Sequence, residues 1–224
     1  MNNEYKCFEI YLEALSPISI TKRNFAILSE TYTYIPSWTM WNAFVKLYAL
    51  QNIQNKIDYK GAKEKLKFIR LTNFYILDNN GPILELKDED RKNYISSDLK
   101  NAINLSTNTS LEGALYEREY IYAKKFIGWI RIESSCNILE NFFKQLKEKV
   151  FFVGADKNTG FGKIKIDGIE NCIDLEERPP KYLNEPKNNN YLLPVEMEEN
   201  EFFPFILREW DEEEGSGMKI IKKI

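Results

Sequence analysis

Near the middle of its second half the chain carries "FFVGADKNTGFGKIKI", residues 151–166, where Gly154, Gly160 and Gly162 alternate with Lys157, Asn158, Thr159, Phe161 and Lys163. Glycines free the backbone to turn its amides toward an anion, and lysine, asparagine and threonine supply further donors to phosphate oxygens. The common nucleotide loops do not fit. A Walker loop has four residues between its glycines and closes on Gly-Lys-Ser/Thr, whereas five residues separate Gly154 from Gly160 and Lys163 is followed by Ile164. A dinucleotide fingerprint opens a helix, but "KIKID" alternates like a strand. From local sequence the stretch is either a glycine-relieved hairpin or a contact for a phosphate backbone.

Other residues able to bind nucleic acid are scattered. Thr21, Lys22, Arg23 and Asn24 make a basic, polar segment after the first strand, and Lys124 with Lys125 stands at an expected hairpin corner. Trp38 and Trp41 are one helical turn apart, a spacing that serves a core or a base-stacking face. The chain has no histidine, which removes triad hydrolases and histidine-dependent nucleases. Cys7, Cys136 and Cys172 lack CxxC spacing, so no metal, cofactor or catalytic residue is assigned.

Charge is uneven along the chain. Residues 1–175 hold 24 Lys+Arg against 22 Asp+Glu, and the remainder 7 against 12, so a net charge of −3 divides into +2 and −5. A chain of 224 residues with 43% apolar content buries a real core. No apolar run approaches the roughly 20 residues of a membrane span, and "MNNEYKC" shows no signal-peptide pattern, so a cytoplasmic protein without membrane contact is expected.

The elements that position these residues follow from periodicity. "YKCFEIYLEAL" alternates Phe8, Ile10 and Leu12 with polar neighbours, as a half-buried strand does, and stops at Ser16-Pro17. "ISITKRNFAILSETYTY" reads as a loop, and Ser37 as the N-cap of the helix "SWTMWNAFVKLYALQ". "KFIRLTNFYILD" and "PILELK" read as two strands turning at Asn79-Asn80-Gly81, residues 88–112 as a polar loop, and "ALYEREYIYAKKFIGWIRIES" as two strands around Ala123 to Lys125. Asn137 to Glu148 puts Ile138, Leu139, Phe142, Phe143 and Leu146 on one helical face. The sum is an α+β, ferredoxin-like (RRM-like) antiparallel sheet with helices on one face, alone or as a tandem or degenerate pair. It forms a core over 1–175, followed over 176–224 by a linker, "EERPPKYLNEPKNNN", and an acidic extension containing Asp211 to Glu214.

Three stretches in this order, "LEALSPISI" with "YIPSWTMWNAF", then "GALYEREYIYAKKFIGWI", then "VGADKNTGFGKIKI", resemble the RAMP superfamily of CRISPR proteins. That family has a Leu-Ser-Pro strand end, an Ile-Pro-Gly-Ser-x-x-Arg-Gly-Ala helix start, and a Gly-Phe-Gly-Lys loop late in its core. This chain departs from it in Ser37-Trp38 and Trp41-Asn42, which replace the Gly-Ser and Arg-Gly pairs, and offers Glu30 but no aspartate before the Ile-Pro helix. The resemblance implies a noncatalytic subunit of a type III CRISPR effector that grips guide RNA or its 5′ handle. The implied partners are CRISPR guide RNA and other effector-complex subunits. Its implied RNA contacts are Thr21, Lys22, Arg23, Asn24, Lys124, Lys125, Gly154, Lys157, Asn158, Thr159, Gly160, Phe161, Gly162 and Lys163. The alternatives are a histidine-free, metal-independent repeat-RNA endonuclease, and a protein-interaction module without direct RNA contact.

Overall fold

The computed structural model describes residues 5–53, 56–67, 69–104, 106–107, 109–133, 136–171, 206–210 and 218–223. In chain order the elements are β1 Tyr5–Ala14, β2 Thr21–Phe25, β3 Leu28–Thr31, α1 Ser37–Gln51, α2 Tyr59–Leu66, β4 Ile69–Leu71, β5 Tyr75–Asp78, β6 Gly81–Ile83, α3 Asp88–Tyr94, β7 Ile95–Asn104, β8 Thr109–Ile121, β9 Lys125–Glu133, α4 Asn137–Lys144, β10 Val150–Phe152, β11 Lys163–Asn171, β12 Ile206–Trp210 and β13 Met218–Lys223.

The larger sheet runs β10-β11-β1-β9-β5-β6, with β4 also paired to β9. Taking β1, α1, β4 with β5, β9, α4 and β11 as the frame gives the β-α-β-β-α-β order of a ferredoxin-like unit, with every pairing antiparallel. Alternation sends Phe8, Ile10 and Leu12 of β1, Phe126, Ile130 and Ile132 of β9, and Ile164 and Ile166 of β11 to one buried face, while Cys7, Tyr75, Ile127 and Trp129 form a smaller buried cluster on the other. Against them pack Met40, Trp41, Phe44 and Val45 of α1 and Leu139, Phe142 and Phe143 of α4. Phe44 meets Phe143 edge-on at 5.2 Å, and Tyr48 meets Phe142 at 5.1 Å.

A second sheet, β2-β3-β8-β7, is built from insertions into this frame. Its first hairpin lies between β1 and α1, its second between β6 and β9, and β3 joins them by running parallel to β8.

Several sequence expectations are corrected. The segment after Ser16-Pro17 is no plain loop: it contains the β2–β3 hairpin, whose first strand is almost wholly solvent-exposed and so lacks apolar alternation. Residues 88–112 are not a loop either, but α3, β7 and the start of β8. The expected single strand over "KFIRLTNFYILD" is broken into β4 and β5 by Thr72 and Asn73, whose side chains have other work. Thr72 Oγ1 accepts from the Trp129 amide at 2.9 Å, and Asn73 Oδ1 accepts from the Ser37 amide at 2.9 Å. Ser37 is therefore the first residue of α1 rather than its cap, since a distant asparagine satisfies its amide. The last helix stops at Lys144, and Ile138 points to solvent while Leu139, Phe142, Phe143 and Leu146 are buried.

The linker, residues 176–190, and Asp211 to Glu214 lie outside the described residues; β12 and β13 pair with each other antiparallel. Among the described residues no helix is long and apolar enough to cross a membrane.

Candidate nucleic-acid interface

The glycine loop is stitched to the segment that follows β1. The amides of Ala155 and Gly162 donate to the carbonyls of Ser19 and Pro17 at 2.8 and 2.7 Å, and the Lys163 amide donates to Ser16 Oγ at 2.8 Å. Returning bonds run from the amides of Leu15 and Ser16 to the Lys163 carbonyl. Two glycines make this approach possible. Gly154 and Gly162 both have φ of +74°, and a Cβ would drive into the Ser19 carbonyl at the first and the Val153 carbonyl at the second. Gly160, at φ +92°, has open space where a Cβ would stand. Two of the stretches that carry the family resemblance, "LEALSPISI" and "VGADKNTGFGKIKI", are thus in direct backbone contact.

These bonds change what the loop offers. The amides of Ala155, Thr159, Gly160, Phe161, Gly162 and Lys163 all donate inside the protein, so these six are not turned toward a ligand. Its outward groups are side chains: Lys157, Asn158, Thr159 and Lys163 are exposed. Partial burial, reinforced by the nearby Lys46 ammonium of α1, holds the Lys157 amine below its usual range. Two cations that repel each other favour an anion between them.

On its inner side the loop meets the β7–β8 hairpin. Asp156 accepts from Arg118 at 2.7 Å through one carboxylate oxygen and from Lys100 at 2.9 Å through the other. The Lys100 ammonium also lies 4.2 Å over the Phe161 ring, which Tyr120 meets edge-on at 5.5 Å. Phe161, expected as an RNA contact, is half-buried in this aromatic and cationic joint.

The basic segment at residues 21–24 is placed otherwise. It forms β2, and both of its cations turn to Glu30 on β3: Lys22 at 3.4 Å and Arg23 in a close pair. Burial alone would raise the Glu30 carboxyl, but Arg23 and Lys22 outweigh it and hold the group below its usual range. Arg91 of α3 extends the cluster, 3.8 Å from Glu30 and 2.6 Å from Glu119. Thr21 shares a hydroxyl contact of 3.4 Å with Ser29. Asn24 lines a shallow cleft of about 250 Å³ at the hairpin turn, with Ser29, Tyr116 and Arg118 among its walls.

Lys124 is exposed at the corner between β8 and β9, 4.0 Å from Glu13, and Lys125 opens β9. Trp41 is buried in the core, and Trp38 is half-buried, edge-on to Tyr32 at 5.7 Å. Neither tryptophan is a free stacking platform. Sequence reasoning missed Lys46, Lys100, Arg118 and Asp156. Arg118 does alternate with Tyr116 and Tyr120 along β8, but nothing local says that Arg118 and Tyr120 meet the glycine loop.

The sequence model of the RAMP superfamily matches residues 12–165, from the last residues of β1 through the glycine loop into β11. The chain belongs to the RAMP superfamily. The match takes in most of the larger sheet, the whole of the second sheet and the glycine loop. Among curated proteins none matches this RAMP chain at a significant level. Its solved structural neighbours include a chain of the type III-B Cmr-beta bound to cognate target RNA and AMPPnP, at 13% identity and a TM-score of 0.46 over 72% of this chain. That alignment takes in 62% of the neighbour, less than two thirds of its length. A second neighbour, from the type III-B Cmr-beta bound to cognate target RNA, is 9% identical, with a TM-score of 0.47 over 74% of this chain and 96% of that one. A third, from the apo state, is 9% identical, with a TM-score of 0.45 over 75% and 98%.

Proposed function

We propose that this RAMP protein is a noncatalytic, RNA-binding subunit of a type III CRISPR effector, and that the glycine loop grips the backbone of the guide RNA or its 5′ handle. The observation that carries the reading is the division of labour within the loop. The amides of Ala155, Gly162 and Lys163 and the Asp156 carboxylate fasten it to the rest of the protein, while Lys157, near Lys46, and Asn158, Thr159 and Lys163 stand toward solvent. A fixed cationic ridge suits recognition by shape and phosphate contact, leaving sequence reading to base pairing. Glu30, the acid nearest the position where cleaving relatives carry an aspartate, is held in ion pairs with Lys22, Arg23 and Arg91, which suits a structural rather than a cleaving role. Residues 1–175 form the RNA-binding core on this reading, and residues 176–224 are an extension directed at neighbouring subunits.

The full chain should bind labelled single-stranded repeat RNA with an affinity that falls as salt rises. Binding no stronger than that of an unrelated acidic protein, alone or with co-purified subunits, overturns the proposal. One feature favours a second reading, metal-independent RNA cleavage: Lys157 stands exposed on the loop near the Lys46 ammonium, which with partial burial holds its amine below the usual lysine range. Incubation with labelled repeat RNA in chelator decides between the two. An intact RNA supports the structural subunit, and a discrete product lost on Lys157→Met supports the enzyme.

A further inference from the structure

A carboxylate in the middle of a ridge meant for phosphates is a liability unless it serves another purpose. Asp156 is that carboxylate, between Ala155 and Lys157. Its backbone is left-handed, at φ 55°, and its carbonyl accepts from the amides of Thr159 and Phe161 and from Thr159 Oγ1 at 2.9 Å. Its two carboxylate oxygens take one cation each, Arg118 from β8 and Lys100 from β7. All three side chains are about one-fifth exposed, so these pairs are shielded from solvent more than a surface salt bridge is. Lys100 reaches across 56 residues of sequence and covers the Phe161 ring as well. Two cations on one anion leave the joint positive, so the ridge keeps its sign.

We propose that Asp156 is the positioning residue of the interface: its carboxylate bolts the glycine loop to the β7–β8 hairpin and thereby fixes where Lys157, Asn158 and Lys163 stand. The inference rests on the RNA reading of the loop, and it makes loop and hairpin one mechanical unit. It predicts an effect opposite in sign to simple electrostatics. Removing an acid from a phosphate-binding face strengthens binding if charge alone matters, and weakens it if the acid holds the face in place.

Asp156→Asn is the decisive variant, because asparagine also tolerates left-handed backbone. Two measurements on the full chain separate the claims. Hydrogen exchange of the amides from Lys157 to Lys163 should quicken roughly tenfold while β1 and β9 keep their protection. Affinity for a fluorescein-labelled, mixed-sequence single-stranded RNA should fall roughly fivefold, with a shallower salt slope, although the protein has become more positive. Lys100→Met, which leaves the Arg118 pair in place, should show a smaller version of the exchange effect and serves if the first variant fails to fold. Unchanged loop exchange, or RNA affinity that holds or rises in Asp156→Asn, overturns the proposal. If the wild-type chain binds no RNA, the functional reading falls by itself, and the exchange measurement still decides whether Asp156 fastens the loop.

Discussion

The β2–β3 hairpin and the glycine loop are both basic segments at the surface, and they spend their charge differently. On the β2–β3 hairpin, Lys22 and Arg23 are each paired with Glu30, and Arg91 and Glu119 extend the same network. On the glycine loop the acid is turned inward instead, onto Lys100 and Arg118, and Lys157 and Lys163 face out. Composition scores the two segments alike; geometry makes the first a brace between strands and the second a surface for an anion. A count of lysines therefore locates a nucleic-acid interface only after each lysine's neighbours are known.

The comparison breaks most readily at the glycines. Gly162→Ala puts a methyl group against the Val153 carbonyl at positive φ, and should cost about 3 kcal/mol or more of unfolding free energy by denaturant titration. Gly160→Ala meets open space and should cost only about 1 kcal/mol. Equal losses would mean that the backbone contact with Val153 does not fix the loop.

Next in size is the brace. Glu30→Gln leaves partly buried cations without their anion and should cost roughly 1–3 kcal/mol while RNA affinity changes little. The sign with pH follows from the lowered Glu30 carboxyl. Its stabilisation is present above the ordinary carboxylate range and is lost as pH falls through the depressed folded value. Wild type should thus lose its advantage over Glu30→Gln on acidification, and an advantage that grows toward acid would contradict the pairing. Smallest is Lys124→Ala at the β8–β9 corner, where a mostly exposed ammonium 4.0 Å from Glu13 should contribute less than about 0.5 kcal/mol. A larger loss of stability would show that this corner braces the fold.

How much of this the sequence disclosed depends on whether an element has a dry face. β1, α1 and α4 each bury a regular set, Phe8, Ile10 and Leu12 in the first and Leu139, Phe142 and Phe143 in the last, and their periodicity shows it. The second sheet has little such face. Thr21–Phe25 is nearly all exposed, and Leu99 and Leu115 of the β7–β8 pair are exposed, so β2, β7 and the start of β8 read as loop, while the rest of β8 was legible as a strand. Long-range caps were equally hidden, since Ser37 finds its partner in Asn73. Of the site, the outward lysines and the glycine spacing were legible. The joint of Asp156 with Lys100 and Arg118 was not, because only the packing of one sheet on the loop of another brings those charges together.

The most direct test of the central claim compares salt-dependent RNA binding in wild type, Lys157→Glu/Lys163→Glu and Lys22→Ala/Arg23→Ala, each as the full chain. The loop variant should lose roughly tenfold or more in affinity with a log–log salt slope smaller by about two, while the hairpin variant stays within about twofold of wild type. Equal affinity and equal slope for wild type and the loop variant, or a loss confined to the hairpin variant, would contradict the assignment of the glycine loop as the RNA-facing surface.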